Sequence, residues 1–447
     1  MIRLLVWLAL GLPVLLGAPG AATAADPPRE LTLREALRQA AQANPALKIA
    51  RLEELIADAE VVRARAGFLP QVKAQVGHTL YDNPVKIRIG AGAGPAGPAG
   101  FRMTNRNFWA SQVVAEQTVF DFFATSSRYQ AAVLGKSISR LDSAQVRDNL
   151  FLAVCQGYFR VLRAEKMVQV AQQEVTQLRE HLKNARNLYE VGLTTYNDVL
   201  QAEVALADAE QRLITARSDV TTATSQLNKL LALPLETPVK LREESELAVP
   251  VTELPQAART ALERRPDLKA AEGRIRQGEK AVTQAQAGFY PRVFVQAGQT
   301  WQQNDTWLHD NQWFALVGLQ WSLFSGFDTR AQVRQAKERL EQLKLKRQDL
   351  SDQVKLEVQT AYLDVKDTAE RIRVTQKAVS QGEENLRLNE ERYKEQVGTA
   401  TDVIDAQTLL TKARVNFYNA RYDHQMAKAT YLWAVGAINE LLENKQP

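Results

Sequence analysis

The chain has a single cysteine, Cys155, so no internal disulfide can staple it and its 447 residues must be held by packing. Its four histidines, His78, His181, His309 and His424, lie far apart and offer no metal-ligand spacing. Only four methionines are present, which gives no support to a lining dedicated to soft metal ions. Aromatic residues make up 7%, too few for a broad aromatic core. The 56 Lys and Arg outnumber the 51 Asp and Glu only slightly and alternate with them along helical segments. Without a basic run interleaved with aromatics, a nucleic-acid footprint is excluded. No nucleophile elbow, phosphate loop or spaced His and carboxylate pair is found, so neither enzymatic activity nor a cofactor is expected. Beyond the N-terminus no window reaches the roughly 18 apolar residues of a membrane-spanning helix. The mature chain is therefore soluble, or it crosses a membrane as β-strands.

What is present begins with a targeting signal. Met1-Ile2-Arg3, the apolar run Leu4 to Leu16 and the small residues through Ala25 have the three parts of a secretory signal peptide, expected at 1–25. No cysteine follows the apolar run, so no lipoprotein anchor is expected.

The rest is a duplication. Pro45 to Val72 aligns with Pro266 to Val293 at an offset of 221, matching Pro45/Pro266, Gly67/Gly288, Phe68/Phe289 and Pro70/Pro291. From Trp109/Trp313 to Arg217/Arg421 the offset is 204. The first repeat thus carries 17 extra residues between Val72 and Trp109, the difference between the two offsets. They include the stretch Gly90 to Gly100, whose Gly and Pro density predicts a mobile loop joining two strands. The expected organisation is a first repeat over 26–232, a proline-rich connector over 233–253, a second repeat over 254–437 and a tail over 438–447.

Each repeat reads helix, strand, loop, strand, long helix, turn, helix. Strands are expected at about 69–81, 108–120, 290–302 and 312–324. In the last of these, Trp313, Ala315, Val317, Leu319, Trp321 and Leu323 share one face, while Gly318, Gln320 and Ser322 lie on the other. An apolar face with a polar reverse and terminal tryptophans is what a lipid-facing barrel strand requires. Long helical hairpins are expected at 125–232 and 328–436. Val154, Val161, Val168, Val175, Leu182 and Tyr189 recur every seven residues, as do Val358, Val365, Ile372, Val379, Leu386 and Tyr393. A column of this kind predicts coiled-coil packing against neighbouring helices.

The two hairpins turn at related tips. Val191-Gly192-Leu193-Thr194 leads to Asp198, and Val397-Gly398-Thr399 leads to Asp402 and Asp405. Glycine suits a tight turn that takes positive φ. Asp402 and Asp405, three apart, share a helix face. Asp402 also stands where it can cap the returning helix, and Asp405 where it favours the helix N-terminus.

Four strands cannot close a barrel, so a membrane reading requires several chains. Leu31-Thr32-Leu33-Arg34-Glu35-Ala36-Leu37 with Asn44-Pro45, the Ala66-Gly67-Phe68-Leu69-Pro70 and Ala287-Gly288-Phe289-Tyr290-Pro291 strand entries, Leu323-Phe324-Ser325-Gly326-Phe327 and both tips together resemble the TolC-like outer-membrane efflux protein family. The resemblance covers the whole mature chain. It implies a mainly α fold with a membrane β-barrel portion, in which a homotrimer forms a 12-stranded barrel in outer membrane lipid, continued by a 12-helix periplasmic α-barrel. It implies a passive exit duct of an efflux or type I secretion system, partnered by a periplasmic adaptor protein and an inner-membrane pump of RND or ABC type. It assigns Asp402 and Asp405 to the periplasmic aperture, where six carboxylates around one axis would favour cations and raise one another's pKa. It assigns Val191, Gly192, Leu193, Thr194, Asp198, Val397, Gly398 and Thr399 to adaptor-facing tips. The alternative left by pattern alone is a soluble periplasmic coiled-coil scaffold or adaptor without a pore.

Overall fold

The computed structural model describes residues 30–88, 100–243 and 247–443. The expected signal peptide, most of the Gly and Pro stretch and the last residues of the tail lie outside them.

Each repeat opens with two short helices, α1 (Leu33–Ala43) and α2 (Pro45–Arg65) in the first, α5 (Leu254–Arg264) and α6 (Pro266–Gln286) in the second. Local chemistry sets their ends. Thr32 and Glu35 form a reciprocal capping box on α1, and Asn44 caps α2 with Pro45 at its first turn. Strands β2 (Gln71–Leu80) and β5 (Asn107–Phe120) follow α2, and β7 (Arg292–Gln302) and β8 (Asn311–Gln320) follow α6. The proline-free helices α3 (Ala124–Glu190) and α7 (Asp328–Lys394) are each 67 residues, about 100 Å at 1.5 Å per residue. They return as α4 (Tyr196–Leu231) and α8 (Ala400–Ala434), and α9 (Glu440–Glu443) closes the described chain.

The strands form one antiparallel sheet in the order β2-β5-β7-β8, leaving β2 and β8 as open edges. The two hairpins share one register: Gln71 faces Glu116, and the equivalent Arg292 faces Gln320. Trp313, Val317 and Leu319 stand exposed on the same face as Val72 and Val76. The reverse face is less polar than its pattern suggested, because it also holds Phe294, Phe314 and Leu316. Phe294 lies over Gly318 and Phe314 over Gly298, the missing side chains leaving room for rings against the wall.

Two small pairings escape any periodicity. Within the interval read as a loop, β3 (Lys86–Arg88) pairs with β4 (Gly100–Arg102). In the connector, β6 (Lys240–Leu241) runs parallel to β1 (Glu30–Leu31), beside the Tyr158 hydroxyl, which donates to the Arg242 carbonyl at 2.5 Å.

The main core lies midway along the long helices, where both repeats meet. Phe151, Val154 and Tyr158 of α3 pack with Leu227 of α4, Val358 of α7 and Tyr431 of α8. Towards the tips the core thins to seams within each hairpin, such as Leu182, Ala185, Val199 and Ala202, with Leu188 of α3 packed against the Leu386 and Val403 seam of the second. The seven-residue columns supply these seams, with Val175 and Leu386 buried. Among the described residues no helix is long and apolar enough to cross a membrane.

Candidate functional site: the paired helical tips

Both long helices end in the same hydrogen-bond pattern. At the first tip the Gly192 amide donates to the Tyr189 carbonyl at 2.9 Å and the Leu193 amide to Leu188 at 2.8 Å. At the second, Gln396 donates to Tyr393 at 3.1 Å and Val397 to Arg392 at 2.9 Å. These are the paired bonds of a Schellman end, whose pivot takes a left-handed conformation. The first pivot is Gly192, φ 75°, but the second is Gln396, φ 60°. Gly398 therefore does not supply the positive φ expected of it. It serves close approach instead, since a Cβ there would lie 3.1 Å from Arg392 Cβ.

This difference carries a prediction. A non-glycine residue in this conformation costs about 1–2 kcal/mol, part of which glycine gives back as unfolded-state entropy. Gly192→Ala should destabilise the first turn by about 1 kcal/mol, while Gln396→Gly should steady the second by a smaller amount. Amide exchange at Leu193 and Val397 reads the two changes, which should have opposite signs.

The returning helices start on matching caps. The Thr399 amide and hydroxyl both donate to Asp402 Oδ2 at 2.9 Å, and the Asp402 amide donates back to Thr399 Oγ1 at 3.2 Å. Thr195 and Asp198 repeat the box. The Thr399 backbone amide and hydroxyl, with a smaller contribution from Arg392, hold the Asp402 carboxyl below its usual range. This is opposite to the rise expected from crowded carboxylates, because within one chain two donors already stabilise the charge. Asp405 is exposed one turn further along α8 and makes no hydrogen bond or ion pair among the described residues.

Asp198 sits deeper than Asp402. Burial works against its charge, but the Thr194 hydroxyl, the Thr195 amide and hydroxyl and nearby His181 outweigh it and leave the carboxyl below its usual range. Val191, Leu193 and Val397 project into solvent at the extreme end. Thr401 donates across the gap between hairpins to Gln201 Oε1 at 3.0 Å. Gln201 aligns with Asp405 at the offset of 204, so the position that bridges hairpins in one repeat is a free carboxylate in the other.

Two residues of this region entered the sequence reading only as a column position and a scattered histidine, with no role at the tip. Tyr393 and His181 pack across the seam between α7 and α3 with ring centroids 5.3 Å apart and the rings tilted by 54°. His181 Nε2 is buried without a hydrogen-bond partner among the described residues, and the buried Tyr393 hydroxyl lies beside the Thr194 side chain. Burial pushes the Tyr393 phenol up and the His181 imidazole down. The sequence signal was the matched end of the two seven-residue columns, Tyr189 and Tyr393, and it hid an asymmetry: Tyr189 is 46% exposed and Tyr393 7%.

Comparison with known proteins fits this architecture. The family model described as outer membrane efflux protein matches residues 36–233 and 257–437. TolC of Escherichia coli is 22% identical, covering 91% of this chain and 83% of its own. The alkaline protease secretion protein AprF of Pseudomonas aeruginosa is 25% identical over 74% of this chain and 70% of its own. Among solved structures, the outer-membrane channel OprN superposes with a TM-score of 0.79 at 18% identity, covering 91% of this chain and 90% of that one. The CmeC outer membrane channel of Campylobacter jejuni gives 0.78 at 16% identity, over 91% and 86%. Duplicated hairpins, an open-edged sheet with one lipid-compatible face, and a family match across both repeats lead to one conclusion: this chain belongs to the outer membrane efflux protein family.

Proposed function

We propose that the chain is one third of an outer-membrane exit duct, conducting cargo passively from a periplasmic adaptor and an inner-membrane RND or ABC pump to the exterior. The observation that carries this is the four-stranded sheet with both edges open and apolar side chains on one face. Open edges in lipid leave backbone groups unpaired, and closure by three copies gives twelve strands and removes every edge. The long helices then continue the barrel into the periplasm and bring their tips together. Asp402 and Asp405 line the narrow end as a negative ring, and Val191, Gly192, Leu193, Thr194, Asp198, Val397, Gly398 and Thr399 present the adaptor-facing surface.

The duct chemistry is non-covalent: shape, charge and an external energy source. Full-length protein should fractionate with the outer membrane as heat- and detergent-resistant trimers and give cation-selective conductance in planar bilayers. Recovery solely as periplasmic monomers would overturn the reading. Deleting 293–323 separates it from a poreless scaffold, which would stay soluble and functional, whereas a duct loses insertion.

A further inference from the structure

The face of the sheet opposite Trp313, Val317 and Leu319 is crossed by an apolar stripe. Phe294 of β7 pairs with Gly318 of β8, and Gly298 of β7 pairs with Phe314 of β8. The two strands thus exchange the same pair of residue types in opposite senses, four positions apart. A Cβ on Gly298 would lie 3.0 Å from Cε1 and Cζ of Phe314, and one on Gly318 would run into the Phe294 ring. Each ring therefore lies down on the backbone of the facing strand and fills the place of the missing side chain. Both rings are only half-buried, so each keeps a surface open on this face. Between them stands Leu316, 47% exposed. The stripe runs ring, leucine, ring over about 13 Å along the strands.

Its two ends differ. At the end nearer the helices Arg292 lies over the Phe294 ring, 5.1 Å from its centroid. Glu116 at 3.3 Å and Gln320 Oε1 at 3.1 Å fix the guanidinium there. A planar guanidinium stacks on π systems as a ring does, so it continues the stripe. At the other end the row Gln75, Gln112, Thr300 and Gln312 crosses all four strands just beyond Phe314 and is wholly polar.

The first repeat builds the same wall without any of this. Its hairpin keeps the register, and the equivalent positions hold Lys73 paired with Val114 and Gly77 paired with Ala110. Nothing lies within 4 Å of the place that a Cβ on Gly77 would take. The hairpin thus forms with no ring and with an uncovered glycine. Rings laid over glycines belong to the surface of the second repeat, and the fold does not demand them.

We infer that this stripe is a binding track for planar aromatic cargo, on which flat rings stack as they pass along the inner wall. The inference rests on the duct reading above, which turns this face into the barrel, and it names the chemical class that the wall retains. A ring laid flat on a strand offers its π face to a second ring, a contact that apolar area alone does not supply. Weak contacts repeated along the wall slow a cargo without trapping it, as conduction through successive sites requires.

Full-length protein in planar bilayers tests the track with 2-naphthyl glucoside and its decahydronaphthyl analogue, which share a carbon skeleton and a sugar and differ in flatness and aromaticity. Each is added on the side opposite the helical tips, so that it reaches the barrel before the aperture. The naphthyl compound should interrupt the cation current at a concentration about tenfold lower than the saturated one, although the saturated one is the more apolar. Phe294→Leu with Phe314→Leu keeps apolar side chains and removes both rings. This variant should conduct as the wild type does and lose the preference. Equal block by the two compounds in the wild type, or block by neither, overturns the track and leaves the duct standing, and this comparison decides even where the variant fails to insert. A preference that survives in a conducting variant also overturns it. Wild-type protein that gives no conductance overturns the duct and the track with it.

Discussion

Neutralising Asp402 and Asp405 together should raise single-channel conductance and weaken block by divalent cations about a hundredfold. In a trimer six carboxylates leave the aperture. At roughly 8 Å in water each contributes about 1 kcal/mol towards a divalent ion, and salt screening roughly halves it. The sum is about 3 kcal/mol, or two orders of magnitude in affinity. The capping box dictates which substitutions to compare. Asp402→Ala also removes the acceptor for Thr399, worth about 1 kcal/mol of helix stability, so a wider aperture could reflect a frayed tip. Asn keeps an acceptor oxygen and removes only charge. The Asn pair should reproduce the loss of block with little added tip exchange, whereas the Ala pair should show both. Divalent block that survives in both variants would remove these residues from the aperture.

The second large effect lies at the opposite end of the molecule. Val317 and Leu316 are neighbours on β8 with side chains on opposite faces of the sheet. Val317 sits midway between Trp313 and Trp321 and is 76% exposed in the single chain. If that face meets lipid, Val317→Arg places a cation at mid-depth at a cost of about 2–4 kcal/mol per chain, felt three times in a trimer. Insertion should fail, and heat-resistant trimer should vanish from the outer membrane. Leu316→Arg, at the same depth on the water-filled side, should insert normally and shift ion selectivity towards anions. Equal tolerance of both would show that the sheet has no lipid face.

The features legible in the sequence were those that repeat. Two offsets, two seven-residue columns and a pair of tips were visible because each engages many residues in one pattern, and the long helices and the sheet follow from them. What stayed hidden was short or non-local. The β1 and β6 pair engages two residues on each side, too few for any alternation. The Tyr393 and His181 contact joins positions 212 apart on different hairpins, and no local rule predicts which of two matched tyrosines will be covered. Gln396 is instructive in the other direction. It stands 204 positions after Gly192, the offset of the repeat, while the glycine of the second tip is Gly398. The hydrogen bonds show that position in the Schellman pattern, and not residue type, decides where φ turns positive.

Trp313 of β8 and Trp321, one residue past its end, have one more consequence. Trp313 and Trp321 are eight positions apart, about 26 Å along a strand. Tilted by about 40°, as barrel strands are, that segment spans about 20 Å of bilayer. A hydrocarbon slab of about 30 Å is thicker than this belt, and the mismatch must be met by thinning the lipid around the protein. Short-chain lipids should therefore favour reconstitution, and in long-chain lipids the protein should partition to thinner regions of the membrane.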